Sequence, residues 1–210
     1  MKPINTLITI LFISLLSSPS WSVTLGDLVE RDGLYYEKFT DVPFSGEVTG
    51  QFQGSIKNGK EEGAWVRYHK NGQLMVKANF ENGKEQGAFV SYRDNGQLKN
   101  KGNYKNGKEE GAWVWYYDNG QVNDKRSYKN GKKEGAWVGY YENGQLRFEG
   151  HYKNGKMEGA WAGYDSTGQL LYEGHYKNGK KEGDWDGYNK DGTVDKERTG
   201  TFKDGVKISD

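Results

Sequence analysis

The sequence predicts an all-β protein: an elongated, single-layer antiparallel β-meander of 24-residue hairpin repeats, preceded by a signal-peptide helix. Three observations carry that prediction. Glycines at 63, 87, 111, 135, 159 and 183 recur at a fixed spacing of 24 residues, and self-similarity at such a period marks an array whose units stack on their neighbours. Asn-Gly pairs stand at 58–59, 71–72, 82–83, 95–96 and onward, so turns fall every 11 or 13 residues and leave no room for a helix. Between the turns, runs such as Gly-Ala-Trp-Val-Gly-Tyr-Tyr (135–141) are aromatic and β-branched, as strands require.

Residues 1–22 read as a secretory signal. Lys2 supplies the positive start, Leu7–Leu16 the apolar core, and Ser20-Trp21-Ser22 small residues around a cleavage point after Ser22. The competing reading is a retained anchor, but the apolar run is ten residues long and a spanning helix needs about 20. The expected location is therefore the periplasm or the medium. With no cysteine in the chain, disulfides, thiolate metal sites and a lipid-modified N-terminal cysteine are excluded. Removing residues 1–22 removes Lys2 and no acid, leaving 29 basic and 29 acidic residues. That balance argues against a nucleic-acid partner.

Residues 23–50 form the lead-in. Within them 23–32 looks like a linker, and Gly33–Phe39 with Phe44–Phe52 look like one or two strands capping the first unit. Residues 51–210 are the array. Each copy has a first run like Gly111–Tyr117, a turn like Asp118–Gln121, a second run like Leu146–Tyr152, and a turn like Lys153–Lys156. Asn and Gly tolerate the positive φ angles of a type I′ turn, so two-residue hairpins are expected at both junctions. That places Tyr141 opposite Leu146, Gly139 opposite Phe148 and Trp137 opposite Gly150, with Gly163 opposite Tyr172 and Trp161 opposite Gly174. Small then faces large, and each indole covers a strand glycine.

Two ladders follow, with members about 9.5 Å apart because equivalent residues sit two strands apart. One is Trp65, Phe89, Trp113, Trp137, Trp161 and Trp185. The other is Tyr68, Tyr92, Tyr116, Tyr140, Tyr164 and Tyr188. The Trp face is expected to be packed, and the opposite face, carrying Ala136, Val138 and Tyr140 among Arg147, Glu149 and His151, half-wet. The last copy is altered. Asp184 and Asp186 replace Ala and Val, and its second run, from Gly192 to Gly200, is two residues longer, as a solubilising cap would be.

The unit GAWVxYYxNGQLxxxGxYKNGKxE is similar to the variant MORN-type repeat. The chain as a whole resembles the YwqK-type antitoxin family of bacteria, whose usual opening resembles Gly33–Gly50. The resemblance implies an elongated β-meander that binds a protein toxin, with no catalytic motif. The export signal departs from a cytoplasmic neutraliser and fits an immunity protein that meets its toxin outside the cytoplasm.

Chemistry finds little purchase. His151 and His175 share a column about 9.5 Å apart, too far to share a metal bound at about 2.0–2.1 Å. His69 stands apart from both. Glu149 and Glu173 share a column too, where a retaining carboxylate pair needs about 5–5.5 Å and a cleft. Asp184 and Asp186 read as a cap, and the repeat glycines open strands rather than phosphate-binding helices. No enzyme, cofactor or metal site is expected. The lysines flanking the Lys-Asn-Gly-Lys turns, with Glu109, Glu110, Glu134, Glu158 and Glu182 beside them, read as a solvated edge. The candidate partner-binding residues are Tyr92, Tyr116, Tyr140 and Tyr164, forming a flat docking surface for a protein, in the sharpest form a toxin. The alternatives are a cell-wall glycan or choline-type ligand and a membrane-associated scaffold, the last weakened by the zero net charge.

Overall fold

The computed structural model describes residues 22–210; the expected signal peptide, residues 1–22, lies outside that part but for Ser22. The described chain is an antiparallel meander running from the strand Gly46–Thr49 to the strand Val206–Ser209, each strand pairing with the next, except that Lys84–Glu85 and Gly87–Tyr92 both pair with Leu74–Glu81 as one interrupted strand. Its only helix among the described residues is one 3-10 turn, Leu25–Asp27.

The two junctions of each copy differ, which corrects the expectation of type I′ turns at both. At Lys153–Lys156, Asn154 (φ 52°) and Gly155 (φ 80°) are both left-handed and Lys153 pairs with Lys156, a two-residue hairpin. At Tyr141–Gln145 only Gly144 is left-handed. There Gly144 N–H donates to Tyr141 O (2.9 Å) and Tyr141 N–H to Gln145 O (2.8 Å), closing a three-residue loop. Asn143 serves through its side chain, whose Oδ1 accepts from Gln145 N (3.0 Å). Tyr141 therefore does not face Leu146; Tyr140 pairs with Leu146 instead. A one-residue bulge follows at once and restores Gly139↔Phe148 and Trp137↔Gly150. The longer loop and the bulge cancel, so the register expected for the core side chains survives.

Except at Gly87, the repeat glycine does not open a strand. Gly159 lies inside the strand Lys156–Tyr164 at φ 74°. Against the preceding strand the pairing slips from His151↔Glu158 to Glu149↔Ala162, so one residue on one side opposes three on the other. An L side chain is strained at this φ, which is why glycine holds the position.

That slip seats the indoles. Trp161 pairs in register with Gly174 on the following strand, but its ring lies over Gly150 on the preceding one. A Cβ added at Gly150 would lie under 3.0 Å from the Trp161 ring. Trp65 sits likewise over Gly54, Trp113 over Gly102 and Trp185 over Gly174. All four indoles are buried. Their Nε1–H groups donate to Ser55 O, Asn103 O, His151 O and His175 O at 3.0–3.2 Å. Each indole removes about 150–250 Å2 from water, worth roughly 5 kcal/mol before entropy is charged. The rings also touch, through Tyr104, Tyr152 and Tyr176 edge-on at 4.9–5.5 Å.

Residue by residue, the seat sets the ring. Where it is glycine, the ring is Trp. At Ala78 the ring shrinks to Phe89. At Arg126 the indole of Trp137 is only half-buried, and its Nε1–H is without a partner. Arg126 there stacks between Trp115 (4.3 Å) and Trp137 (4.8 Å) and grips buried Asp124 with two bonds, 2.5 and 2.9 Å. The same unit inverts the small-against-large pairing. Gly139 lies under Phe148 and Gly163 under Tyr172, whereas Trp115 opposes Asp124.

The ends are capped differently. Leu28–Arg31 and Leu34–Glu37 form a hairpin, so part of the expected linker 23–32 is strand. It folds over the first two-residue turn, where Tyr35 N–H donates to Gly59 O (2.8 Å) and Gly59 N–H to Phe44 O (2.7 Å). Leu28, Phe44, Val48 and Ile56 join Trp65 in one core. At the other end, the longer run leaves the sheet at 188–199 and rejoins with Gly200 opposite Trp185, so the expected faces are kept. Phe202 closes the core around Trp161 and Trp185.

Two stability outcomes follow. Gly150→Ala should lower unfolding free energy by about 1–3 kcal/mol through overpacking against Trp161, read by urea denaturation. Arg126→Ala, which strands the Asp124 carboxylate, should cost about 3 kcal/mol; an Arg126→Ala/Asp124→Ala pair should recover much of that loss in the same assay.

Candidate protein-binding face

Cross-strand partners share a face. The face opposite the indoles is therefore read directly from the register. Val114 pairs with Lys101 and Lys125, Val138 with Lys125 and Glu149, and Ala162 with Glu149 and Glu173. A second row pairs Ala136 with His151 and Ala160 with His175. The floor is thus small and apolar, with alternate columns of long polar side chains. Two depressions lie on it. One, of about 710 Å3, is lined by Ala160, Ala162, Tyr164, Glu173, His175 and Asp186 among others. The other, of about 640 Å3, includes Lys77, Ala88, Val90, Lys101 and Ala112.

Tyr92, Tyr116, Tyr140 and Tyr164 are all half-buried. Lys101 Nζ stands 5.9 Å from the Tyr116 ring and Lys125 Nζ 5.8 Å from the Tyr140 ring. At the next step Glu149 takes the lysine's place, and Tyr164 Oη donates to its Oε1 at 3.4 Å. Burial, then the Glu149 charge, pushes the Tyr164 phenol above its usual range. The structure thus puts the four tyrosines in equivalent positions but in unlike electrostatic settings, a difference the ladder pattern alone did not show.

Their backbones are pinned from the preceding unit. Arg93 donates to Tyr116 O (2.7 Å), Tyr117 Oη to Tyr140 O (2.7 Å) and Tyr141 Oη to Tyr164 O (2.8 Å), while His69 Nε2 contacts Tyr92 O (3.0 Å). Along the other edge, Glu110, Glu134 and Glu158 are not merely solvated, as their setting among lysines suggested. Each carboxylate accepts the N–H of the next turn's Asn130, Asn154 or Asn178 at 2.6–2.8 Å. Backbone bonds of 2.9 Å from Gly131, Gly155 and Gly179 back to Glu109, Lys133 and Met157 run beside them. Both edges are therefore laced, and the face between them is rigidly spaced.

His151 and His175 line the first depression with Glu149, Glu173, Asp184 and Asp186. Among the described residues no three His, Asp or Glu side chains gather in a metal-binding group. Asp184 accepts from Thr201 Oγ1 at 2.8 Å.

A family model described as the MORN repeat variant matches residues 61–82, 85–106, 109–130, 133–154 and 157–178. The five matches are of 22 residues each and cover 110 of the 210 positions. The chain belongs to the MORN repeat variant family. No curated protein matches the chain. The matched MORN units stop before the strand Lys180–Gly187, where Asp184 and Asp186 replace the small apolar residues of the floor. Each MORN match begins one residue before the lacing acceptor (Glu62, Gln86, Glu110, Glu134 or Glu158) and ends on the left-handed Asn, so every matched unit contains both partners of its edge clamp.

One outcome isolates the clamp. Glu134→Ala should leave the indole seats intact and cost about 1–2 kcal/mol as the Asn154 N–H loses its charged acceptor. Hydrogen exchange at Asn154 and Gly155 should accelerate ahead of global unfolding.

Proposed function

We propose that this protein is a non-catalytic docking array whose Ala/Val/Tyr face takes a protein partner. The observation that carries the reading is the division of labour between the two faces. The indole face is consumed in self-packing, whereas the opposite face leaves half-buried tyrosines and a small apolar floor rigidly spaced and open. Tyrosine commonly dominates affinity at protein interfaces. Family membership supports the same reading, because repeat surfaces of this kind serve binding.

The finer form of the proposal is an exported immunity-type protein that neutralises a protein toxin. It is supported by the signal-like segment around Leu7–Leu16 and by the resemblance of Gly33–Gly50 to the opening of YwqK-type antitoxins. Work outside the cytoplasm also suits a chain with no cysteine to oxidise.

Tyr116→Ser/Tyr140→Ser should weaken partner binding by more than about tenfold while the protein stays folded by far-ultraviolet circular dichroism. Binding that is indifferent to both substitutions would refute the face. Deletion of the gene should sensitise cells to the toxin, and unchanged sensitivity would remove the immunity form while leaving the docking array.

A further inference from the structure

The docking face is divided by charge. One column on it reads Lys77, Lys101, Lys125, Glu149, Glu173 at successive 24-residue steps. The pairs Lys77↔Val66, Lys101↔Val114, Lys125↔Val138, Glu149↔Ala162 and Glu173↔Asp186 put all five on the same face as the valines. Asp184 and Asp186 extend the acidic half where other units carry Ala and Val. All seven charged residues are exposed. Among the described residues none of them forms a salt bridge within the chain. The face is thus basic over its first units and acidic over its last, although the mature chain has no net charge.

The division is symmetric about one strand. Lys125 lies on Val122–Lys129 and Glu149 on Leu146–Lys153, the two immediate neighbours of Lys132–Tyr140. Lys101, on Leu98–Lys105, and Glu173, on Leu170–Lys177, are each three strands away from it. A two-fold axis lying above the face and parallel to Lys132–Tyr140 brings Lys125 of one copy over Glu149 of the other, and Lys101 over Glu173, because all four lie at one level along the strands. Such a self-complementary patch is what an isologous interface needs. The seven strands concerned span about 29 Å and offer roughly 700 Å2 of face at ordinary strand spacing and rise, close to the share each partner gives a standard interface. The acid-lined depression, floored by Ala160 and Ala162, has room for the lysine stems of the opposing copy.

We infer that the occupant of this face is a second copy of the chain, docked antiparallel so that the lysine half of each lies on the acidic half of the other. This rests on the docking reading above and names its partner. Tyr116 and Tyr140 sit under the lysines near the axis, where they form the centre of the interface.

The test is sedimentation velocity on three proteins at about 50 mM and about 500 mM salt, conditions that change the screening length about threefold. The wild type should dimerise at low salt and loosen by at least about tenfold at high salt. Lys101→Glu/Lys125→Glu and Glu149→Lys/Glu173→Lys should each be monomeric alone, because the charges nearest the axis then meet like charges on the other copy. Mixed, the two variants should form a heterodimer. A wild type that stays monomeric at low salt, or a dimer that survives either charge reversal alone, overturns the inference. Partner binding that remains sensitive to Tyr116→Ser/Tyr140→Ser in a monomeric wild type would overturn the second copy and leave the docking reading standing.

Discussion

The structure depends on one contact, an indole lying on a glycine backbone one strand behind it. A single-layer sheet has no second layer to bury its apolar face against. Something must cover the backbone from within the layer, and a large flat ring over a residue without a Cβ does so with full van der Waals contact. The contact links unit to unit, because each ring belongs to one copy and its seat to the strand before. Its reach is made by the left-handed glycine bulge, which advances the strand two residues against its neighbour.

The exceptions show the same constraint at work. Ala78 carries a methyl group, and its ring is the smaller Phe89. Arg126 fills its seat entirely, and the chain compensates with a cation held between Trp115 and Trp137 and neutralised by Asp124. Burial, and then the Arg126 charge, pulls the Lys133 ammonium beside Trp137 below its usual range. The middle of the array is therefore held partly by charge and rings together, while both ends are held by packed apolar cores. Because all this packing is spent on the indole face, the opposite face is free of structural duty, and its charges are free to be arranged for recognition.

Much of this was legible in the residues. The 24-residue period, the turn positions and the alternation between Trp137 and Val138 specified strands, faces and the pairing of Trp137 with Gly150. Tyr92, Tyr116, Tyr140 and Tyr164 could be placed on one column by counting. What could not be read was how the two kinds of Asn-Gly differ. Asn154 and Asn143 are chemically identical, but their side chains and backbones find different partners, within the loop and in the neighbouring unit. Glu134 accepts the backbone N–H of Asn154, whereas the Asn143 side chain donates to Ser166 O (2.7 Å) in the next unit. The clamp glutamates were visible as residues but looked like solvated charges, because their acceptor role joins positions 20 apart.

The sequence by itself determined the period, the two faces and the column to which each side chain belongs, because strand alternation and a strict repeat leave no freedom in them. Only the tertiary structure decided which glycine each indole covers, since the bulge sets a glycine opposite the indole on the preceding strand too, as Gly174 opposite Trp185, and the ring lies over that one. It also decided that the lysine-to-glutamate change between Lys125 and Glu149 falls symmetrically about one strand. That symmetry is a property of positions in space, produced by strands stacking at constant spacing, and it becomes a physical feature only once the units are laid side by side.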